Sequence, residues 1–216
     1  MIQILPVNDT SATGTWMDSY PYSAISAFAL HPLYLNLSAV AVGANASRLE
    51  QLENERKLLN ALESVDYEAV MRAKLAFIKE IFSSQRRETF ERPDYQEFLK
   101  QNRHWLLPYA TFCFFRDKFG TADFDQWPTN RHYSEKEIAA LMTENSPASN
   151  EISLHFFIQY HLHLQLKEAT EHAHRMGVIV KGDIAIGVSR QSADVWQQPE
   201  LYHRDMQAGA PPDAAR

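Results

Sequence analysis

The residues best placed to do chemistry lie in two stretches at opposite ends of the chain. The first runs from Gly177 to Trp196 (GVIVKGDIAIGVSRQSADVW). A glycine stops a long helical pattern, a short apolar strand follows from Val178 to Val180, and Asp183 comes just past its end. Arg190, Asp194 and Trp196 lie further on. In parallel α/β folds the loops at the carboxyl ends of strands carry the site residues, so Asp183 is a candidate to meet a ligand. The same place also suits a carboxylate that caps a helix or organises a turn, and position alone leaves both open.

The second stretch is Trp16-Met17-Asp18-Ser19-Tyr20-Pro21-Tyr22, three aromatics and one acid within seven residues. Tyr and Trp faces stack on the apolar faces of sugars, and a carboxylate binds sugar hydroxyls. That composition makes a carbohydrate platform, or else a packed aromatic loop under the first strand. Other reactive types read as structural. Cys113, the only cysteine, sits in the apolar run ATFCFF with no base patterned beside it, as a small buried hydrophobe would. His155, His161, His163, His172 and His174 share one predicted helix, but no two stand at i and i+3 or i+4. His161 and His172, like His163 and His174, are separated by about 16 Å of helix, so a metal site is not expected. Arg86, Arg87 and Arg92 beside Glu88 and Glu91 read as a solvated surface.

The elements that must position these stretches follow from periodicity. Ile2 to Val7 is nearly all apolar and predicts a strand buried on both faces. Asn8 to Thr15 is a polar loop. Leu49, Leu52, Leu59 and Leu62 mark one helix face. Asp66 caps a second helix running to about Phe82, with Val70, Phe77, Ile78 and Ile81 inward. A third helical stretch spans about Asp94 to Phe119, where Pro108 is expected to begin a fresh helix and Gly120 to end it. Ser134 to Glu137 matches a capping box and opens a short helix to about Met142. Asn145 to Asn150 reads as a linker, and a long helix then runs from about Glu151 to Met176.

Composition sets the outer bounds. The chain has 216 residues, 45% of them hydrophobic and 22% charged, enough for one sizeable core. A net charge of −6 gives no electrostatic reason to expect nucleic acid or an anionic membrane as partner. Ser19 to Ser47 lacks charged residues, but Pro21, Pro32, Asn36 and Asn45 interrupt it, so no membrane span is expected. The opening MIQILPVNDT has no basic segment of a secretory signal, which points to the cytoplasm. Two parallel strands are too few for an independent sheet. The expected fold is therefore a piece of an α/β protein in which a helical insertion separates two strands of a larger parallel sheet or barrel.

The runs IQILPVNDT, WMDSYPYSAISAFALHPLYLNL, GVIVKGDIAIGVS, ADVWQQPELY and DMQAGAPPD, in that order and spacing, resemble the 4-α-glucanotransferases, the amylomaltase or disproportionating-enzyme family. The DSYPYS segment is most similar to the branch that includes the plant cytosolic disproportionating enzyme. The resemblance implies part of a (β/α)8 TIM barrel, about two of its strands, with a large and mostly helical insertion between them. Residues 1–44 would be a barrel strand and its aromatic loop, 45–149 the insertion, and 150–216 a barrel helix, strand and following loops, together one incomplete catalytic domain.

The family's chemistry is a retaining transfer of glucosyl or maltooligosyl units between α-1,4-glucans, with a nucleophile and a separate acid/base and no cofactor or metal. On this chain the resemblance makes Tyr22 and Asp183 substrate-binding residues beside the scissile bond, and Asp213 a further one on the donor side. Trp16, Asp18, Tyr20 and Trp196 are candidates to shape the same cleft. The family's nucleophile lies in an R-x-D-H motif, which is absent from these 216 residues. The chain is accordingly expected to be an internal piece of a longer enzyme. It should be inactive alone, with α-1,4-glucan or maltooligosaccharide and the remainder of the barrel as partners. A non-catalytic glucan-binding module and a helical domain whose strands pair with another chain are the alternatives.

Overall fold

The computed structural model describes residues 1–41, 44–143, 146–185 and 187–206, with side chains from all but 44–47. Its strands are β1 (Ile2–Gln3) and β2 (Val180–Lys181). Its α-helices are α1 (Leu37–Val40), α2 (Ala44–Asn60), α3 (Tyr67–Glu91), α4 (Pro93–Phe119), α5 (Glu135–Leu141), α6 (Pro147–Arg175) and α7 (Ala193–Gln197). The result is a mostly helical α/β piece.

The strands pair in parallel, Ile2 opposite Val180 and Gln3 opposite Lys181. The Ile2 N–H donates to the Ile179 carbonyl at 2.8 Å and the Ile4 N–H to that of Lys181 at 3.0 Å. Both strands are shorter than the sequence predicts, and the expectation of burial on both faces fails, since Ile2, Leu5, Ile179 and Ile184 are all more than half exposed. The physical reason is the absence, among the described residues, of flanking strands that would extend the ladder and bury these side chains.

The helices are held by signals that are local in sequence. Asp66 Oδ1 accepts from the Ala69 N–H at 2.9 Å and caps α3. That helix runs past Phe82 to Glu91 because Arg86 is not a solvated charge. Its guanidinium lies 5.8 Å from the ring centroids of both Phe82 and Phe90, one turn to either side. It also donates to Asn150 of α6. Ser134 Oγ accepts from the Glu137 N–H at 3.4 Å, but the Glu137 carboxylate accepts from Asn130 Nδ2 at 2.9 Å, so only half of the capping box forms. The predicted linker gives way to helix at Pro147, because Ser146 caps α6 through the Ser149 N–H at 2.9 Å. Gly120 and Gly177 both take φ 71°, the left-handed geometry that stops α4 and α6.

Pro108 does not start a new helix. It lies inside α4, which is continuous. A proline there lacks the N–H that would bond the carbonyl of His104. That carbonyl instead accepts from Gln197 Nε2 at 3.1 Å, so a residue at the end of α7 satisfies the break. From Trp105 to Phe115 every residue of α4 is buried, as expected of a helix apolar on all sides. Phe112 and Phe115 pack with Trp127 and Trp196 at the centre of the main core, which draws on residues from Ile25 to Trp196. A second cluster joins Leu35, Phe77, Ile81 and Phe157. The α2 stripe is weaker: Leu49, Leu52 and Leu59 are only half-buried, and Leu62 lies beyond the helix. No helix among the described residues is long and apolar enough to cross a membrane.

Two of the α6 histidines point into this core. His155 Nδ1 and His161 Nε2 are buried and find no hydrogen-bond partner. Burial lowers both imidazoles to about 4, with Asp117 opposing and Arg116 and Lys79 reinforcing the shift at His155. The ordinary value is about 6.5, so between pH 6.5 and 4 the unfolded chain takes up protons that the folded chain refuses. Stability should therefore be full above pH 6.5 and fall as pH drops through that window, by on the order of 2 kcal/mol per ring. Thermal melts from pH 7.5 to 4.5 check this. The double variant His155→Leu/His161→Leu should lose Tm less steeply than the parent, and parallel losses would contradict it.

Candidate functional site

The site is built on Asp9, two residues beyond the apolar run that begins with β1. Its carboxylate is buried, accepting from the Tyr109 hydroxyl at 2.6 Å and from the Ser11 N–H at 2.9 Å. Its main chain bonds the return segment: the Asp9 N–H to the Ala29 carbonyl at 2.8 Å and the Ile25 N–H to the Asp9 carbonyl at 2.7 Å. Between these anchors the chain loops out. Gly14, at φ 73°, turns the backbone so that its N–H and that of Thr13 reach the Asp18 carboxylate. The bonds are 2.7 Å from Gly14, 3.0 Å from Thr13, and 2.8 Å from the Thr13 hydroxyl. The Thr10 hydroxyl donates to the Asp18 carbonyl.

Asp18 is thus an interior brace, 3% exposed, with both oxygens engaged inside the loop, and it does not face a ligand. The aromatics around it do the opposite. Trp16 is 61% exposed, Tyr20 46% and Tyr22 37%. The rings of Tyr20 and Tyr22 are 5.7 Å apart and tilted by 56°.

Asp183 follows β2 and lies beside this loop. The Tyr22 hydroxyl donates to Asp183 Oδ2 at 2.9 Å across 161 residues of sequence. Asp183 Oδ1 accepts from the Ile184 N–H at 3.0 Å. The hydrogen bond to the Asp183 carboxylate, then desolvation and charge, raise the Tyr22 phenol above its ordinary value. An open aromatic pair beside a carboxylate that is only half-buried can stack on an apolar sugar face and accept from its hydroxyls.

The segment after β2 is stitched to the same return segment. The Ser189 N–H donates to the Ala24 carbonyl at 2.8 Å and the Ala193 N–H to that of Ile25 at 2.9 Å. Asp194 accepts from the Ala27 N–H at 2.6 Å, and burial raises its carboxyl despite that bond. Trp196 is 2% exposed. Its Nε1 donates to the Asn130 carbonyl at 2.9 Å, and its ring packs on Phe112, Phe115, Trp127 and Tyr133. Trp196 and Asp18, both candidates to shape the cleft, are buried, so neither offers a face to a ligand and each supports the site from behind. Arg190 is exposed. Asp213 lies outside the described residues.

Sequence reasoning reaches Asp9 only as the edge of the segment 9–22 and misses its bracing role, and it misses Tyr109 and Glu68, whose Oε1 accepts from the Trp16 N–H at 2.8 Å. Only Asp9 carried a usable signal, standing behind an apolar run as Asp183 does. Among the described residues no three of His, Cys, Asp and Glu converge as metal ligands.

Two solved structures with a similar fold are amylomaltases. The one from Streptococcus agalactiae, in complex with acarbose, superposes with a TM-score of 0.73 at 24% identity, covering 93% of this chain and 39% of that one. The one from Corynebacterium glutamicum gives 0.66 at 19% identity, covering 98% and 29%. The fold is thus that of a portion of an amylomaltase. The 4-alpha-glucanotransferase family model matches residues 1–216, and the chain belongs to that family. It is 41% identical over 213 residues to the 4-alpha-glucanotransferase DPE2 of Oryza sativa subsp. japonica, covering 99% of this chain and 22% of that protein. It is 32% identical over 214 residues to the 4-alpha-glucanotransferase of Chlamydia muridarum, covering 99% and 39%. The chain spans between about a fifth and two fifths of the length of these curated relatives.

The Tyr22–Asp183 bond has a direct spectroscopic signature. Asp183→Asn removes the negative charge that opposes phenolate formation, so the Tyr22 pKa should fall toward the ordinary value near 10. Site-resolved NMR titration of the tyrosine rings reads this, and an unchanged Tyr22 curve would show that the two side chains do not pair.

Proposed function

We propose that this chain is one wall of the glucan cleft of a 4-α-glucanotransferase. In this reading β1 and β2 belong to a (β/α)8 barrel, residues 45–149 are its helical insertion, and residues 1–44 and 150–216 supply the barrel portions on either side. The bond between Tyr22 and Asp183 carries the reading, because it brings two sequence-distant residues of sugar-binding type to one exposed place beyond the paired strands.

Tyr20, Tyr22 and Trp16 offer ring faces, and Asp183 accepts from the hydroxyls of a bound glucosyl unit. Asp213 joins them from the donor side. The nucleophile and the acid/base of the retaining transfer belong to the rest of the barrel, which packs against the exposed Ile2, Leu5, Ile179 and Ile184. The complete enzyme moves glucosyl or maltooligosyl units between α-1,4-glucans such as those of starch, glycogen or maltose metabolism. It works in the cytoplasm and draws on this chain's residues for binding, not bond cleavage.

Calorimetry or NMR titration with maltoheptaose tests the reading. The chain should bind in the millimolar range, as expected of half a cleft, and Tyr22→Ala or Asp183→Ala should weaken binding about tenfold. The chain alone should release no glucose from maltotriose. Binding that ignores both substitutions, or turnover by the chain alone, would overturn the proposal.

A further inference from the structure

The aromatic loop is gripped from outside by the first turn of α3, a helix of the insertion. Trp16 opens a short 3-10 turn, Trp16–Ser19, so its N–H has no partner within that turn. Glu68 Oε1 takes it at 2.8 Å, from 52 residues away in sequence. The neighbouring residue holds the far end of the return segment. His31 Nδ1 accepts from the Leu33 N–H at 3.0 Å, so the ring proton sits on Nε2 and is donated to the Tyr67 hydroxyl, also at 3.0 Å. Tyr67 is buried and cannot move without disturbing the core, whereas Glu68 is half-exposed and acts through a single bond. Inside the loop Asp18 fixes the shape, but it ties the loop only to itself. Trp16 and Tyr22 lie six residues apart on this one loop, so the bond to Glu68 and the bond to Asp183 constrain the same stretch of backbone.

We infer that Glu68 is a positioning residue, holding the loop so that the Tyr22 hydroxyl rests on Asp183. A helical insertion remote from the strands in sequence would then set the geometry of the sugar platform. The consequence for glucan binding rests on the proposed function, while the positioning itself does not.

The test uses the 216-residue chain with Glu68→Ala, Glu68→Met and Glu68→Gln. Glutamine keeps an oxygen that accepts the Trp16 N–H. Alanine and methionine lose it, and methionine retains the side-chain stem should alanine fail to fold. In the Ala and Met variants amide exchange at Trp16 should accelerate about tenfold or more, the equivalent of one charge-assisted hydrogen bond. The Tyr22 pKa should fall toward its ordinary value in the same variants. Both readouts should return close to the parent in Glu68→Gln. A role confined to negative charge at the start of α3 would leave Gln as impaired as Ala, and that result overturns the inference. Unchanged Trp16 exchange and Tyr22 titration in Ala and Met overturn it equally. Maltoheptaose affinity, measured alongside, should drop about threefold to tenfold in Ala and Met only. If the parent binds no maltoheptaose while Trp16 and Tyr22 respond as stated, the glucan reading fails and the positioning role stands.

Discussion

The buried carboxylate of Asp9 is the constraint on which the rest of the site depends. A charge or a neutral acid inside a protein must find partners, and losing one costs far more than an exposed pair gains. Asp9 finds the Tyr109 hydroxyl on α4 and the Ser11 N–H in its own loop. The other clamps on this segment radiate from the same place. Gln159 of α6 accepts from the Leu30 N–H at 2.8 Å, donates to the Leu30 carbonyl at 2.7 Å, and reaches the Tyr109 hydroxyl at 3.4 Å. Arg116 of α4 donates to the Ser11 carbonyl and, at 3.1 Å, to its hydroxyl. Two long helices thus hold both ends of a loop that has little regular structure of its own.

This arrangement explains how a chain with two-residue strands presents an ordered site. The pairing of β1 with β2 aligns the starts of two segments, but what they deliver is fixed by helices. Segment 9–31 hangs on α4 and α6, its tip is pinned by α3, and the segment after β2 is stitched to residues 24–27 and anchored by Trp196 in the α4 core. Within that frame Trp16, Tyr20 and Tyr22 are exposed and Asp183 is half-buried, while Asp9, Asp18, Gln159 and Trp196 beneath them are buried.

The sequence made the helix ends legible because their causes are local. Asp66, Ser134, Gly120 and Gly177 act within a turn of themselves, and each does in the structure what its type predicts. Pro108 was misread because its compensation is distant: nothing near it announces that Gln197 will take the freed carbonyl. Arg86 was misread because a charge run has no outward sign that one member lies across two phenyl rings. At the site, spacing alone offered Asp183 and a cluster of aromatics without joining them. The resemblance to a family singled out Tyr22, and only the fold brings its hydroxyl to Asp183. Asp18 illustrates the opposite error, since a carboxylate among aromatics suits a sugar as well as it suits the N–H groups of Thr13 and Gly14.

As proposed above, this chain forms a working part of a glucan-transferring cleft whose reactive carboxylates lie outside it. The most direct measurement replaces the matching segment of the rice relative, 41% identical over 213 residues, with this chain, and follows glucan transfer by the chimera. The expected result is a folded chimera that transfers glucan, with a loss of at least tenfold in kcat/KM when Tyr22→Ala is introduced, the scale of one lost sugar contact. A folded chimera that transfers nothing, or one indifferent to Tyr22, would contradict it.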